Sequence, residues 1–387
     1  MRRGSYIGRY LRDLVPVAFE LETAKEFQVF GTGPSQFKVK LNGDIPKREL
    51  LKSTSLALGE AYIRGDIELD RDLYEVLDIF LGQIEHFRLS PAALHGLLHS
   101  SLAAKKQQAE VCSHYDIGND FYRLWLDETM SYSCGYFKNP GDSLFEAQVA
   151  KADHILKKLH LGMGMTLLDV GCGWGFLLMR AARRYGVKGV GITLGKEQYQ
   201  QFSREIKEQH LEDFLEVRLM DYRELPKSGL QFDRVVSVGM VEHVGRGNYE
   251  LFFKNIAEVL KPEGLFLLHF ISAQKEHAGD PFIRKYIFPG GVVPSLREMV
   301  SLLPEYGFRT LDVESLRLHY TRTLLCWLEN FKKHKEEIAA GRGEEFVRMW
   351  ELYLAACAAA FHQGIVDLHQ ILMSKGVNNE LPMVRVV

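Results

Sequence analysis

From about residue 145 onward, the sequence alternates between helix-type and strand-type segments. Helical spacing of apolar residues marks 146–159, 176–185 and 197–209, and short apolar runs mark 166–170, 188–193, 215–219, 232–238 and 264–271. Such an alternation predicts an open, mostly parallel α/β sheet. Two later strands, at 309–316 and 368–374, are predicted to complete a doubly wound, seven-stranded sheet, with helical material over 324–361 between them.

The first predicted strand runs into a glycine-rich segment, Asp169-Val170-Gly171-Cys172-Gly173-Trp174-Gly175, and a helix is predicted directly after it. This order places backbone N–H groups at a helix N-terminus. Dinucleotide folds usually carry G-x-G-x-x-G, whose last glycine allows close helix–strand packing. The G-C-G-W-G spacing instead resembles that of doubly wound methyltransferases that use S-adenosylmethionine. In such a loop, the glycines let the backbone approach the methionine moiety and the ribose.

Polar residues follow the other predicted strands. Thr193 ends the second strand, and it can hydrogen-bond ribose hydroxyls together with Gln198. Asp221-Tyr222 follows the third strand and can supply a carboxylate and a ring near the adenine, although Asp221 also suits a turn. Glu242 follows the fourth strand. Ligands of open α/β sheets bind at the carboxyl ends of the strands, so we predict that Glu242 is functional.

Residues 1–100 are predicted to form a small N-terminal α+β domain with its connector, and residues 101–387 the catalytic domain. The N-terminal part has strand patterns at 27–30 and 36–41, a hairpin signal at Asn42-Gly43 and a helical pattern over 49–63. Ser90-Pro91 is typical of a helix start and predicts a connecting helix to about residue 110.

Composition limits the class of protein. The hydrophobic fraction of 46%, the charged fraction of 25% and the net charge of −2 are those of an ordinary globular protein, which argues against a nucleic-acid binder. No run approaches the roughly 20 apolar residues of a membrane span, and no signal peptide is evident. The five cysteines form no C-x-x-C pair, which argues against a zinc site and a disulfide framework. We therefore expect a cytoplasmic protein.

The first twelve residues contain four arginines and no acidic residue before Asp13, with Tyr6, Ile7, Tyr10 and Leu11 among them. This segment is either a solvated terminus or a surface that contacts anionic lipid headgroups.

Five segments together carry a resemblance to a known family: His114-Tyr115-Asp116-Ile117-Gly118-Asn119-Asp120-Phe121-Tyr122, Met130-Ser131-Tyr132-Ser133-Cys134-Gly135-Tyr136-Phe137, 168–175, Val241-Glu242-His243-Val244-Gly245 and Lys285-Tyr286-Ile287-Phe288-Pro289-Gly290. From about His114 to its C-terminus, the chain resembles the cyclopropane fatty acyl phospholipid synthases. Residues 1 to about 100 resemble the additional N-terminal domain of the bacterial synthases, which the related mycolic acid cyclopropanases lack.

The resemblance implies a reaction and two ligands. A methyl group from S-adenosylmethionine adds to a cis double bond of an unsaturated phospholipid acyl chain, and loss of a proton then closes a cyclopropane ring. A bound bicarbonate ion is the implied base, held by Cys134, Glu242, His269, Ile271 and Tyr320. The implied cofactor residues are Tyr132, Ser133, Asp169, Gly171, Gly173, Trp174, Thr193, Leu194, Gln198, Asp221 and Tyr222. Peripheral association with the inner face of the membrane and a homodimer are also implied.

The chemistry of these residues is consistent with that reaction. Aromatic faces stabilise developing positive charge, and the implied site has several aromatic residues whose alternative role is core packing: Tyr132, Tyr136, Phe137, Trp174, Phe270, Tyr286, Phe288 and Tyr320. His269 and Tyr320 can donate hydrogen bonds to an anion, and we expect Glu242 to hold His269. Cys134 and Ile271 are expected to act through their backbone N–H groups.

Other functions stay open at this point. Glu242, His243 and His269 could bind a metal, although a cation beside a sulfonium is repelled by it, and Cys134 could be a covalent nucleophile. The product could be a methyl or methylene branch on a fatty acyl chain or a sphingolipid, and a degenerate fold could bind lipid without catalysis. The sequence departs from the family pattern at Phe270-Ile271-Ser272, where a Thr or Ser is expected before the Ile.

Overall fold

The computed structural model describes residues 6–14, 17–82, 117–277 and 279–384. The predicted connector helix between Ser90 and residue 110, the predicted boundary at residue 100 and residues 114–116 of the family motif lie outside the described residues.

The N-terminal unit, which comprises the described residues up to 82, contains a four-stranded sheet of order β2-β1-β3-β4. Its strands are β1 (Phe19–Thr23), β2 (Phe27–Phe30), β3 (Lys38–Leu41) and β4 (Ile67–Leu69), and its helices are α1 (Tyr6–Leu14), α2 (Lys47–Lys52), α3 (Thr54–Ile63) and α4 (Leu73–Leu81). Alternate strand residues such as Phe19, Leu21 and Val39 are buried against Leu50 and Ala61 of α2 and α3. Helices and strands thus share one core, as an α+β unit requires.

The hairpin predicted at Asn42-Gly43 is wrong. After β3 the chain passes Pro46 and continues into α2 and α3, so the antiparallel neighbour of β3 is β4, with Leu41 opposite Ile67. The Asn42 side-chain amide instead donates to the carbonyl of Gly65, at 3.2 Å, just before β4 begins. The turn residue therefore joins two segments that are distant in sequence.

The helical pattern predicted over 49–63 is confirmed except at Ser53, which divides it into two helices. The backbone of Ser53 is extended, which ends α2, and its hydroxyl accepts a hydrogen bond from the N–H of Leu56 at the start of α3. Serine is a favoured residue at this capping position, where it satisfies a backbone donor that the helix itself leaves unpaired.

The larger sheet has seven strands in the order β10-β11-β9-β8-β5-β6-β7. They are β5 (Thr166–Val170), β6 (Lys188–Thr193), β7 (Leu215–Leu219), β8 (Phe232–Val238), β9 (Leu260–Ala273), β10 (Phe308–Ser315) and β11 (Val366–Lys375). The strands β5 to β9 are parallel, and β11 runs antiparallel between β9 and β10. The predicted seven-stranded, mostly parallel sheet is confirmed.

Helices cover both faces of this sheet and extend beyond its C-terminal edge. They are α5 (Asn119–Arg123), α6 (Leu144–Lys158), α7 (Phe176–Tyr185), α8 (Lys196–Glu208), α9 (Tyr249–Val259), α10 (Pro281–Tyr286), α11 (Leu296–Leu302), α12 (Arg317–Lys333), α13 (Lys335–Arg342) and α14 (Glu344–His362). The strand order reverses between β5 and β8. A crevice forms where neighbouring connections leave in opposite directions, and it is the usual ligand site of such sheets.

The N-terminal unit contacts two helices of the larger part, α10 and α14. The Arg348 guanidinium on α14 donates to the carbonyls of Tyr62 and Ile67 at 2.5 and 2.8 Å. The Glu60 carboxylate on α3 accepts from Lys285 at 2.5 Å and from the Tyr286 hydroxyl at 3.0 Å. The N-terminal unit therefore touches the Lys285–Gly290 family segment directly. Among the described residues, no helix combines the length and the apolar character needed to cross a bilayer.

Candidate active site

The glycine segment connects β5 to α7, as predicted. Gly171, Gly173 and Gly175 have φ angles of 86°, 55° and 89°, a region that other residues rarely adopt. A Cβ atom on Gly175 would lie 2.2 Å from the ring of Phe202, and one on Gly171 would lie 2.9 Å from the side chain of Met240. A Cβ on Gly173 would meet nothing within 4 Å. Gly171 and Gly175 therefore permit close packing, whereas Gly173 borders open space.

That open space belongs to a pocket at the C-terminal ends of β5, β6 and β8. All of the predicted cofactor residues line it: Tyr132, Ser133, Asp169, Gly171, Gly173, Trp174, Thr193, Leu194, Gln198, Asp221 and Tyr222. The structure therefore brings together residues from four separate parts of the sequence at the point where the strand order reverses.

Hydrogen bonds within the protein fix several of these side chains. The hydroxyl of Thr193 donates to the amide oxygen of Gln198 at 2.7 Å, and the indole N–H of Trp174 donates to Asn119 at 2.9 Å. The Asp221 carboxylate accepts from the N–H of Arg223 at 2.9 Å and caps the short helix Tyr222–Ser228. Asp221 thus caps a turn, as its residue type suggested, and also lines the pocket, as expected of a cofactor residue.

Asp169 is the buried carboxylate of the pocket. It is 2% exposed, and its Oδ1 atom has no hydrogen-bond partner among the described residues. Burial raises the pKa of this carboxyl to about 7, because the charged form loses its hydration. An unpartnered carboxylate oxygen at this position is suited to a hydrogen-bond donor on a ligand.

Lys151 lines the same pocket and was missed by the sequence prediction. Its ammonium donates to the hydroxyl of Ser133 at 2.8 Å. Burial lowers the pKa of Lys151 to about 8. The signal that could have found it is its spacing on α6, because it lies one turn from the buried Ala147 and Ile155, on the face that packs into the core.

The residues of the predicted anion site come from four elements. Glu242 lies in the short helix Val241–His243 after β8, His269 and Ile271 lie on β9, Tyr320 lies in the first turn of α12, and Cys134 lies in the loop before α6. None of these residues is among those that line the cofactor pocket, although His243, next to Glu242, is.

Two polar atoms in this set are buried without a hydrogen-bond partner among the described residues. They are Oε2 of Glu242 and Nε2 of His269. The other carboxylate oxygen of Glu242 accepts from the N–H of Ile271 at 2.7 Å, and Nδ1 of His269 lies 3.1 Å from the side-chain nitrogen of Gln370. The expectation that Glu242 holds His269 is therefore wrong. Gln370 takes that position because it is the residue opposite His269 in the β9–β11 pairing.

The same hydrogen bond alters the expected role of Ile271, whose N–H is already donated to Glu242. Phe270, where the sequence departs from the family pattern, is buried, and Ser272, on the other side of Ile271, contacts Nδ1 of His369 on β11 at 2.7 Å. This part of β9 therefore positions its neighbours through contacts within the sheet.

Burial sets the protonation of the anion-site residues. It raises the pKa of Glu242 to about 7 and lowers the pKa of His269 to about 3, so the imidazole is neutral near pH 7. Burial also raises the pKa of Tyr320, and the neighbouring Cys134 and Glu242 contribute to the rise. The thiol pKa of Cys134 is raised as well, so it is not the thiolate that a covalent nucleophile requires.

Most of the predicted aromatic residues share one apolar cluster, which contains Tyr132, Tyr136, Trp174, Tyr286, Phe288 and Tyr320. Phe270 belongs to a separate cluster. The Phe137 ring instead packs against the guanidinium of Arg322, whose Cζ atom lies 4.1 Å from the centre of the ring. The hydroxyl of Tyr132 lies 2.6 Å from that of Tyr353. Among the described residues, no three His, Cys, Asp or Glu side chains are arranged to hold a metal ion.

The strand order, with an antiparallel strand between β9 and β10, and the glycine-lined pocket at the switch point define a class I S-adenosylmethionine-dependent methyltransferase. The sequence model of the mycolic acid cyclopropane synthetase family matches residues 103–371, and the chain belongs to this family. A model of a domain of unknown function matches residues 12–89.

Relatives match over most of the chain. The cyclopropane-fatty-acyl-phospholipid synthase of Escherichia coli K12 is 39% identical over 381 residues, which is 95% of each chain. A probable fatty acid methyltransferase of Pseudomonas putida is 40% identical over 338 residues, 85% of each chain. The structure of the cyclopropane synthase MmaA2 from Mycobacterium tuberculosis has a TM-score of 0.66 and 36% identity, covering 69% of this chain and 98% of that one.

A structure of the mycolic acid cyclopropane synthase CmaA1 contains S-adenosylhomocysteine, the demethylated cofactor. It has a TM-score of 0.65 and 36% identity, and it covers 69% of this chain and 98% of that one. The family, the fold class and the enzyme class expected from the sequence are confirmed.

Proposed function

We propose that this enzyme forms a cyclopropane ring at a cis double bond of an unsaturated phospholipid acyl chain. S-adenosylmethionine, when bound, supplies the methyl group as a sulfonium that can be attacked by the alkene. The carbon added to the lipid retains two of its hydrogens, and the third is lost as a proton. The alignment with the Escherichia coli synthase covers 95% of each chain and includes the N-terminal unit, which supports a phospholipid substrate.

The observation that carries the proposal is the pair of unpartnered buried atoms, Oε2 of Glu242 and Nε2 of His269. A proton must leave the reacting carbon, and a buried polar pair without partners is costly unless a ligand satisfies it. The residues that would hold a bicarbonate ion are Cys134, Glu242, His269 and Tyr320, and Ile271 would contribute by orienting Glu242. With the Gln370 amide donating to Nδ1, Nε2 of His269 carries the ring proton and can donate it to an anion.

Glu242 suits the proton transfer in the same proposal. A carboxyl with a pKa of about 7 can both accept and release a proton near neutral pH, which a general acid–base residue requires. Tyr320 stays protonated because its pKa is raised, so it can donate a hydrogen bond and present an aromatic face. A neutral histidine and a protonated tyrosine can thus bind an anion without adding a full positive charge beside the sulfonium.

We also propose that the enzyme is a homodimer that associates peripherally with the inner face of the membrane. The arginines of the N-terminal segment and the helix α1 support contact with anionic headgroups. The link from Glu60 to Lys285 and Tyr286 would then connect a membrane-contacting unit to the catalytic part.

The second candidate function is transfer of a methyl or methylene branch to the same double bond, which the fatty acid methyltransferase relative favours. Incubation with unsaturated phospholipid vesicles and S-adenosylmethionine, followed by mass spectrometry and ozonolysis of the lipid, separates the two. Cyclopropane formation adds one CH2 and removes the ozone-sensitive double bond. A gain of one CH2 with a double bond retained would identify a methylene branch or a methyl-branched alkene, and either would overturn the cyclopropane proposal.

A further inference from the structure

Lys151 is a buried cation with an incomplete set of partners. Its side chain is 6% exposed, and it lies on the core-facing side of α6. An ammonium removed from water is costly unless it is paired with charge or fully hydrogen-bonded. An ammonium has three N–H donors, and the hydrogen bond to the neutral hydroxyl of Ser133 satisfies one of them.

A second buried lysine on the same helix shows the contrast. Lys158 forms ion pairs with Glu314 at 2.5 Å and with Asp312 at 3.1 Å. Among the described residues, Lys151 has no carboxylate within the 4.0 Å of an ion pair, although Asp127 and Asp169 are close enough to influence its charge. Lys151 faces the cofactor pocket, and Lys158 faces β10. The lysine without a matching anion is therefore the one that lines the pocket.

The pocket also presents the opposite charge. The Oδ1 atom of Asp169 is buried without a partner, and Asp169 and Lys151 both line the space beside Gly173. The two groups do not form an ion pair with each other. A ligand that carries an ammonium and a carboxylate on one carbon atom could satisfy both, and the methionine moiety of S-adenosylmethionine is such a group.

We propose that Lys151 binds the α-carboxylate of the methionine moiety, directly and through Ser133, while Asp169 receives the α-ammonium. This inference rests on the proposed use of S-adenosylmethionine. It assigns Lys151 a role in positioning the cofactor, since fixing both charged groups of the amino-acid end limits the directions in which the sulfonium can point. A carboxylate on Lys151 also offsets its positive charge in a pocket that must accept the sulfonium.

The test compares two ligands by calorimetry. S-adenosylhomocysteine carries the amino-acid end, whereas 5′-methylthioadenosine keeps the nucleoside and the thioether but lacks both charged groups. In Lys151→Met the side chain keeps its length and loses its charge. We expect the dissociation constant for S-adenosylhomocysteine to rise roughly 10- to 100-fold, as for a lost charged hydrogen bond, and that for 5′-methylthioadenosine to stay within about 2-fold of the wild-type value. Lys157→Met, an exposed position on the same helix, is the matched control and should change neither constant.

Each other outcome overturns the proposal. An equal loss of affinity for both ligands would mean that Lys151 only maintains the shape of the pocket. Unchanged affinity for S-adenosylhomocysteine, with an altered dependence of the rate on bicarbonate, would assign Lys151 to the anion site. Lys151→Arg keeps the positive charge, so it should bind S-adenosylhomocysteine more tightly than Lys151→Met does. An affinity as low as that of Lys151→Met would contradict a role for the charge. If the wild-type enzyme itself fails to bind S-adenosylhomocysteine, the proposed cofactor use fails first.

Discussion

The carboxylate of Glu242 is held through one oxygen by the backbone N–H of Ile271, at 2.7 Å, which leaves its other oxygen without a partner. The fixed oxygen sets the orientation of the group, and the other oxygen is the one that would take part in the proposed proton transfer. Because the backbone supplies the fixed contact, that contact does not depend on which side chain occupies position 271.

Glu242→Gln should abolish most of the activity without weakening cofactor binding. The amide can keep the contact with Ile271 but cannot accept a proton, and loss of a positioned acid–base group costs about 100-fold or more in rate. The dissociation constant for S-adenosylhomocysteine should stay within about 2-fold of wild type, since Glu242 does not line that pocket. Glu250→Gln, at an exposed glutamate on α9, is the control. Full activity in Glu242→Gln would exclude the proposed anion site.

Removal of bicarbonate should slow the wild-type enzyme. In carbon-dioxide-free buffer we expect the rate of lipid modification to fall several-fold, and added bicarbonate should restore it. Glu242→Gln should show little response to the same addition, because one holder of the ion is altered. A wild-type rate that is independent of bicarbonate would contradict the proposed base and leave the methyltransferase assignment untouched.

Asp169→Ala should weaken cofactor binding. Removal of a buried carboxylate that bonds a ligand ammonium typically costs about 10-fold or more in affinity. Calorimetry with S-adenosylhomocysteine measures the change directly. Asp213→Ala, at an exposed aspartate between α8 and β7, is the matched control. Equal dissociation constants for wild type and Asp169→Ala would refute a role for this residue in binding the cofactor.

Asp169 should also make the stability of the ligand-free protein depend on pH. Its folded pKa of about 7 lies above the usual 3.8, so the protonated form is favoured by folding, and that stabilisation is lost as the pH rises through 7. Asp169→Asn stays neutral. Between pH 5 and pH 7 the unfolding free energy of the variant should therefore gain on that of wild type by about 1.4 kcal/mol per pH unit, roughly 2–3 kcal/mol in all, and the gain should level off above pH 7. Urea unfolding of both proteins at several pH values tests this. A difference that stays constant with pH would count against the raised pKa.

Gly175→Ala should destabilise the catalytic part. Its φ of 89° disfavours any side chain, and the new methyl group would overlap the ring of Phe202. Strain and overpacking of this kind cost roughly 2–4 kcal/mol. Gly341→Ala, within α13 and with nothing within 4 Å of the added atom, should instead be neutral or gain up to about 1 kcal/mol. Chemical denaturation compares the two; equal stabilities would contradict the packing argument.

The sequence predicted the central strands well and the pairings between side chains poorly. The bounds of β5 to β8 agree with prediction because buried parallel strands read as continuous apolar runs that end at glycine or polar residues. The contact between Gln370 and His269 could not be predicted, since it depends on the register of strands that are about 100 residues apart in sequence. Lys151 was overlooked because a single lysine in an amphipathic helix is usually solvated.

The position of β11 has a consequence for the order of synthesis. This strand, Val366–Lys375, inserts between β9 and β10 and carries Gln370 to His269. The histidine gains this neighbour only after about 100 further residues of the chain have been synthesised. A chain that ends upstream of β11 therefore lacks the amide that contacts His269, and the proposed proton-transfer site depends on a strand that is synthesised late.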